Sequence, residues 1–225
     1  MTTIFPSITI AIAARSSPLS RAQVQEVLSA IQQFYPSIAF QPTFVETIGD
    51  KDQKTSLRGL EKTNFFTKEV DELVLNGQCR IGIHSAKDLP TPLAAGLTCF
   101  AITKGVDASD SLVFRPNECL ESLAPGAVVA TSSERREETV KIVRADLTFT
   151  DIRGTIHQRL QALETKKIDA VVIAEAALIR LKLTTLNRIR LPGTTTPYQG
   201  QLAIVGRTDD REMQDLFSCL GKCNV

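Results

Sequence analysis

A lysine and an aspartate stand side by side in the segment His84-Ser-Ala-Lys-Asp-Leu-Pro90. The β-branched, apolar residues before it predict a short buried strand. Pro90 disfavours the α conformation for Leu89, so Lys87 and Asp88 are expected on an extended or turning segment where that strand ends. Ligands of α/β proteins bind at the carboxyl ends of strands. We therefore expect Asp88 near the centre of a functional site.

An ionised carboxylate in that place is suited to stabilising a positive charge that develops on a substrate. Lys87 has two possible roles: it forms a Schiff base with a carbonyl group, or it pairs with a carboxylate or an anionic ligand. His84 and His157 are the only histidines, and both are expected to be structural rather than catalytic. The segment alone leaves the reaction open.

Arginines occupy strand ends and the places where predicted helices begin: Arg15, Arg135, Arg136, Arg153 and Arg159. A helix N-terminus already carries positive partial charge, so an arginine there costs about 0.3–1 kcal/mol. One alternative for the double arginine is a solvated face on which it pairs with its neighbours Glu134, Glu137 and Glu138. Together, the arginine segments predict a site for several carboxylates or phosphates, which guanidinium groups bind in bidentate geometry.

Composition narrows the class of protein. The chain has 225 residues, 43% of them hydrophobic, and a net charge of +1, so bulk charge gives no argument for nucleic acid or an anionic membrane. No apolar run approaches the length of a membrane span and no secretory signal is evident, which predicts a cytoplasmic protein. Five scattered cysteines and two histidines predict reduced thiols and no metal site.

The predicted elements must place these side chains together. Strands alternate with helices, which predicts an α/β fold with two lobes of mostly parallel sheet, flanked by helices, and a cleft between them. Domain 1 is expected in residues 1–102 plus 198–225, and domain 2 in residues 106–194. Residues 47–64 are polar with little periodicity and are expected to form a long loop.

Several short segments, in their order and spacing, resemble porphobilinogen deaminases (hydroxymethylbilane synthases). They are Ala14–Leu19, Gly49–Asp50, Phe66–Glu69, His84–Pro90, Thr131–Arg136, Arg153–Gly154 with Arg159, and Gly200–Gln201. The resemblance covers nearly the whole chain. It implies a transferase of tetrapyrrole (haem) biosynthesis that condenses four porphobilinogen molecules, with loss of ammonia each time, into linear hydroxymethylbilane.

The same resemblance assigns roles to residues. Asp88 and Lys87 would be catalytic, with Asp88 stabilising a cationic pyrrole. Acetate and propionate groups of the pyrroles would be bound by Arg15, Ser17, Lys68, Ser85, Ser133, Arg135, Arg136, Arg153 and Arg159. The implied partner is porphobilinogen, with no nucleic acid and no membrane. A monomer is expected, while a dimer stays open.

Porphobilinogen deaminases carry a covalent dipyrromethane cofactor on a cysteine of a third domain. This chain stops at Val225, about where that domain would begin, so the third domain is expected to be absent. Cys223 or Cys219 then becomes the expected attachment site, because both lie at or beyond the end of the last predicted helix. The alternative is that both cysteines are incidental.

Two other functions remain open at this stage. One is a two-lobed anion-binding protein with a periplasmic-binding-protein-like fold, although such a protein does not need Lys87 and Asp88 beside so many arginines and is normally exported. The other is a catalytically weakened homologue without the primer domain. Consumption of porphobilinogen by the purified protein separates these possibilities.

Overall fold

The computed structural model describes residues 9–58 and 63–223. Numbered along the chain, its strands are β1 (Thr9–Arg15), β2 (Ala39–Val45), β3 (Ile81–Ser85), β4 (Leu97–Ile102), β5 (Asp110–Val113), β6 (Val128–Ala130), β7 (Thr148–Thr150), β8 (Ala170–Ala174), β9 (Arg188–Arg190) and β10 (Leu202–Arg207). Its α-helices are α1 (Pro18–Gln32), α2 (Ile48–Lys51), α3 (Lys68–Leu75), α4 (Glu134–Val143), α5 (Ile156–Glu164), α6 (Glu175–Arg180) and α7 (Arg211–Phe217). Within these ranges, every helix is too short or too polar to cross a bilayer.

The chain divides into two compact units. The first comprises Met1–Lys51, Lys62–Gly105 and Gln201–Val225, and the second comprises Asp52–Glu61 and Val106–Gly200. The two units are defined by contacts within the structure, and the domain limits expected from the sequence (1–102 plus 198–225, and 106–194) stay a prediction.

The first unit is built on a five-stranded sheet in the order β2-β1-β3-β10-β4. Alternate residues of β1 and β3 point to opposite faces of the sheet. One face packs against α1 and α7, with side chains such as Ile12, Val27 and Phe217 wholly buried in a single core. Helix α3 covers the other face, where Val70 lies so close to Gly82 that a Cβ atom there would be 3.1 Å from it.

The second unit has its own sheet, in the order β7-β6-β8-β5-β9. Its core includes the fully buried residues Leu112, Val129 and Val172, with Val140 of α4 packed among them. Helices α5 and α6 both pack against β8. The ends of β6 and β7 therefore lead into loops whose positions are fixed by a buried core.

The predicted α/β fold with two helix-flanked, mostly parallel sheets is confirmed, because four of the five strands in each sheet run in the same direction and one runs against them. In the first sheet β1 runs parallel to β2 and β3, whereas β10 runs antiparallel to β3 and β4. In the second, β6 runs parallel to β7 and β8, whereas β5 runs antiparallel to β8 and β9. β5 and β10 are the first strands after the chain passes into the other unit at Val106 and at Gln201, so no helical crossover within the unit dictates their direction.

Residues 47–64 also differ from the expected loop. Helix α2 forms over Ile48–Lys51, and a 3₁₀ turn occupies Asn64–Phe66, while residues 59–62 lie outside the described ranges. The carboxylate of Asp50 accepts hydrogen bonds from the backbone N–H of Thr47 at 3.1 Å and from its hydroxyl at 2.9 Å. A helix of four residues has no room for the apolar periodicity by which longer helices are identified.

Candidate active site

Asp88 lies where the sequence predicts it, just beyond the end of β3. Residues Ala86–Asp88 form a 3₁₀ turn, and Leu89 returns to extended backbone before Pro90. Lys87 and Asp88 are both half-buried. Within the part of the chain that the structure describes, no group donates a hydrogen bond to the Asp88 carboxylate. This carboxylate is consequently available to a ligand.

A small pocket opens beside Asp88. Its walls come from β1, α1, the turn before α3, and β3, and the lining residues are Arg15, Ser20, Gln23, Phe66, Thr67, Ile83, His84, Ser85 and Asp88. Two of the predicted carboxylate-binding residues, Arg15 and Ser85, are thus brought together with the predicted catalytic aspartate.

Arg15 is held in this pocket by residues of two further motifs. Its Nε donates to Oδ2 of Asp50 at 3.2 Å, and its Nη2 forms an ion pair with Oδ1 of the same carboxylate. Its guanidinium carbon lies 4.6 Å from the centre of the Phe66 ring, a distance typical of a cation–π contact. The ring in turn lies against Gly49, where a Cβ atom would be 2.4 Å from it. The Gly49–Asp50 and Phe66–Glu69 segments therefore both serve to fix Arg15.

The predicted hydroxyl and ammonium groups of this unit have different surroundings. The Ser17 hydroxyl accepts a hydrogen bond from Ser20 N–H at 3.2 Å and caps α1. The Ser85 hydroxyl accepts a hydrogen bond at 2.8 Å from Nε2 of the buried Gln23. Lys68 is exposed, with its Nζ 4.0 Å from Glu72, and does not line the pocket. Ser17 and Lys68 therefore have structural contacts that explain them without a ligand.

In the second unit, both arginines of the double-arginine motif contact one buried aspartate. Nη2 of Arg135 donates to Oδ2 of Asp110 at 2.5 Å, and Nη2 of Arg136 donates to Oδ1 at 2.6 Å. Burial alone would raise the pKa of Asp110, but the charges of Arg136 and Arg135 lower it below its usual range. The neighbouring glutamates do not take this role, since Glu137 pairs with Arg58 and Glu138 pairs with Lys141. The solvated-face alternative is wrong for this motif.

Arg153 and Arg159 lie close to Arg136, and each donates a hydrogen bond to a backbone carbonyl. Nη2 of Arg153 donates to the carbonyl of Asp52 at 2.8 Å, and Nε of Arg159 donates to the carbonyl of Gly154 at 3.1 Å. Burial, and then the positive charges of Arg136 and Arg153, lower the pKa of Arg159 to about 10. The guanidinium groups therefore repel one another, and an anion bound among them would relieve that repulsion.

Of the two serines before α4, Ser132 makes hydrogen bonds within the protein, whereas the predicted ligand-binding residue Ser133 does not cap the helix. Ser133 is the N-cap residue of α4, yet its hydroxyl makes no capping hydrogen bond. The neighbouring Ser132 is the one engaged: its hydroxyl donates to Asp151 and accepts from the N–H of Ile152 at 3.2 Å. Ser133 is half-buried, so its hydroxyl remains available to a ligand at the start of α4.

The two candidate attachment cysteines lie at the end of the first unit. Cys219 is exposed in the 3₁₀ turn after α7, with its thiol 3.3 Å from the carbonyl oxygen of Leu216. Cys223 is half-buried beside Cys99 of β4. Burial, together with the contact to Cys223, raises the pKa of the Cys99 thiol. Cys219 is therefore the more accessible of the two.

Sequence reasoning missed Gln23, Asp110 and Gln199. Gln23 had a usable signal, because a polar residue interrupts the apolar face of α1. Asp110 had none, since it stands at the head of an apolar strand and its partners are distant in sequence. Gln199 directly precedes the Gly200–Gln201 motif and donates to Oδ1 of Asp110 at 3.0 Å.

Solved structures show where this fold is also found. A putative methionine-binding lipoprotein from Bacillus subtilis aligns with a TM-score of 0.56 and 12% identity, covering 96% of this chain and 91% of that chain. A periplasmic substrate-binding protein of an ABC transporter from Coxiella burnetii aligns with a TM-score of 0.56 and 13% identity, covering 94% and 91%. At this identity the similarity establishes the fold alone.

Sequence comparison gives the family. The family described as "Porphobilinogen deaminase, dipyromethane cofactor binding domain" matches residues 10–215. A probable porphobilinogen deaminase from Chlamydia trachomatis is 41% identical over 215 residues, which cover 96% of this chain and 88% of the relative. The porphobilinogen deaminase of Bacillus subtilis is 36% identical over 214 residues, covering 93% and 68%. With its motifs assembled in two units of the expected fold, the chain belongs to the porphobilinogen deaminase family.

Proposed function

We propose that this protein is a hydroxymethylbilane synthase that condenses four porphobilinogen molecules head to tail. The balanced reaction converts four porphobilinogen molecules and one water into hydroxymethylbilane and four ammonia molecules. Each coupling breaks the bond between the aminomethyl carbon and nitrogen and forms a carbon–carbon bond to the next pyrrole. The observation that carries the proposal is the half-buried carboxylate of Asp88. It accepts no hydrogen bond from any described residue, and it lines a pocket together with Arg15.

Asp88 stabilises the positive charge that ammonia loss leaves on the substrate pyrrole. Its carboxylate oxygens accept hydrogen bonds from the pyrrole N–H, whose acidity rises as the ring becomes cationic. A carboxylate already in place needs little reorganisation when the charge develops, which is the basis of electrostatic catalysis. Lys87, on the same 3₁₀ turn, binds a substrate carboxylate in this proposal.

The arginines match the charge of the substrate. Every porphobilinogen unit carries an acetate and a propionate, so a growing chain accumulates two negative charges with each ring. In the second unit, Asp110 pairs with both Arg135 and Arg136, and Arg159 lies among the positive charges of Arg136 and Arg153. This concentration of positive charge suits the carboxylates of an oligopyrrole, with Ser133 as a further hydrogen-bond donor.

The family's dipyrromethane cofactor fits the same residues. When bound, it supplies the terminal pyrrole to which the first substrate molecule is joined. Guanidinium groups that repel one another are the kind of donor set that its carboxylates require.

We place the covalent attachment of dipyrromethane at Cys219 or Cys223. Intact mass spectrometry of the wild type and of the Cys219→Ser and Cys223→Ser variants tests this, with loss of a dipyrrole adduct expected in one of them. Wild-type protein isolated without an adduct would contradict the attachment.

Asp88→Asn provides the main test of the proposed reaction. The substitution removes the charge but keeps the shape, and it should lower the rate of porphobilinogen consumption about a hundredfold or more. Asp88→Glu, which keeps the charge and moves the carboxylate, should also lower it sharply. Asp215→Asn is the matched control, because Asp215 is an exposed carboxylate of the same unit on α7. A wild-type protein that leaves porphobilinogen unchanged would contradict the function, and full activity in both Asp88 variants would contradict the role of Asp88.

We further propose that the enzyme acts in the cytoplasm as a monomer, without nucleic acid or membrane partners. Its near-neutral net charge of +1 supports the absence of nucleic acid and anionic membrane partners. Size-exclusion chromatography with light scattering tests the oligomeric state, and a mass near twice 24.6 kDa would contradict it. No observation favours a simple anion-binding protein, and the activity assay distinguishes a weakened homologue.

A further inference from the structure

Asp110 is a buried carboxylate with every oxygen occupied. Its side chain is 2% exposed and lies at the start of β5, outside all the motifs. Oδ2 accepts from Arg135, and Oδ1 accepts from Arg136 and from Nε2 of Gln199. Burying a charged carboxylate is strongly unfavourable unless it is paired and hydrogen-bonded in this way.

We infer that Asp110 is a positioning residue for substrate binding: it acts through Arg135 and Arg136 and determines where their guanidinium groups point. The inference rests on the proposed function, in which these arginines bind the carboxylates of pyrroles. Asp110 itself touches no substrate in this account.

Helix geometry shows why the two arginines need such a residue. Consecutive residues on an α-helix point about 100° apart around the axis. Side chains at 135 and 136 would therefore diverge unless a common acceptor drew them together. Asp110 supplies that acceptor from the neighbouring sheet, with Nη2 of each arginine on a different oxygen of one carboxylate.

Asp110 is itself held in place. Gln199 is buried, and its Nε2 donates to the carbonyl of Ala108 at 2.7 Å as well as to Asp110. Arg135 is fixed further by its Nη1, which donates to the carbonyl of Thr194 at 3.1 Å. Side chains locked by a surrounding layer of hydrogen bonds keep their geometry before the ligand arrives, which favours binding.

Asp110→Asn tests the inference, because asparagine keeps the size of the side chain and removes the charge. The KM for porphobilinogen should rise about tenfold, with a smaller change in kcat. If Asp110 acts through Arg136, the effects of Asp110→Asn and Arg136→Gln on KM should be less than additive in the double variant. The rise in the thermal midpoint that porphobilinogen induces should shrink in parallel, which gives a binding readout independent of turnover.

Glu175→Gln is the matched control. Glu175 is equally buried, lies in the same unit and holds Arg188 through two hydrogen bonds, of 2.6 and 2.9 Å. Its loss should lower the thermal midpoint without changing KM. An equal KM effect in this control, or an unchanged KM in Asp110→Asn, would overturn the inference.

Gln199→Met covers the case in which Asp110→Asn does not fold. Methionine has a similar length and cannot donate a hydrogen bond, so the carboxylate stays but loses one constraint, and KM should rise about threefold. An unchanged KM in a folded Gln199→Met protein would then overturn the inference. Absence of turnover and of ligand-induced stabilisation in the wild type would instead contradict the proposed function, and with it this role.

Discussion

Arg15 illustrates how one side chain combines a structural contact with a place in the pocket. Its guanidinium group pairs with Asp50 and stacks on Phe66, yet it also lines the pocket beside Asp88. A guanidinium group has five N–H donors, so the pairing with Asp50 leaves others for a ligand. The carboxylate of Asp50 therefore orients Arg15 without occupying all of its N–H donors.

Asp50→Asn should lower the free energy of unfolding by about 1–3 kcal/mol, because the half-buried guanidinium group of Arg15 would lose its charged partner. Urea unfolding at neutral pH measures the difference. Asp209→Asn is the control, since Asp209 is 78% exposed in its pair with Arg207, and exposed pairs contribute about 0–1 kcal/mol. Equal losses of unfolding free energy in the two variants would show that the Arg15–Asp50 pair stabilises the fold no more than an exposed pair does.

The contrast between Asp88 and Asp110 shows what sequence reasoning could reach at this scale. Asp88 was identified because a strand, a lysine and a proline are its immediate neighbours. The partners of Asp110 lie 25, 26 and 89 residues away, so no local spacing reveals them. The arginines were likewise identified from helix starts, but their shared acceptor emerges only from the tertiary structure.

At the level of elements, helix starts were the most predictable feature. Ser17 followed by Pro18 marks the start of α1, and Thr155 with Gln158 forms a capping box at the start of α5. Such signals are local, because the capping side chain bonds to backbone only a few residues away. Strand β9 has no such local signal: Arg188–Arg190 is short and polar, and only its pairing with β5 defines it.

Thr155→Ala should lower the free energy of unfolding by about 1 kcal/mol, because it removes the cap of α5. The same change frays the turn that carries Arg159, so affinity for porphobilinogen should weaken as well. Thr165→Ala is the control at the other end of the helix, where the hydroxyl donates to the carbonyls of Gln161 at 2.8 Å and Ala162 at 3.4 Å and caps no N-terminus. Chemical denaturation and KM measurements check both, and equal effects would contradict the special role of the cap.

For the whole molecule, the near-neutral net charge does not reveal how the buried carboxylates are paired. Several buried or half-buried carboxylates are paired with arginines or hydrogen-bonded, and they have lowered pKa values: Asp50, Asp110, Asp151 and Glu175. Composition reports only the sum of charges, so this arrangement could not be predicted from it. The structure therefore predicts that the free energy of unfolding decreases at low pH, which the net charge of +1 does not suggest.

The free energy of unfolding should fall as the pH drops below about 4, where the unfolded chain begins to take up protons on carboxylates that stay ionised in the folded state. Carboxylates with lowered pKa values contribute stability above their unfolded pKa and lose it as the pH passes down through the folded value. Urea unfolding between neutral pH and pH 3 measures the slope. Asp110→Asn should show a shallower fall than the wild type, and an identical slope would contradict the contribution of Asp110.

The place of β10 has a consequence for how the chain is made. β4 is complete at residue 102, yet it joins its sheet only through β10, which begins at residue 202. At synthesis rates of about 5–20 residues per second, roughly 5–20 s separate the two strands on the ribosome. Until β10 arrives, the edges of β3 and β4 that it will cover are open templates for pairing with other chains. The yield of folded protein should therefore depend on how fast the second unit is translated.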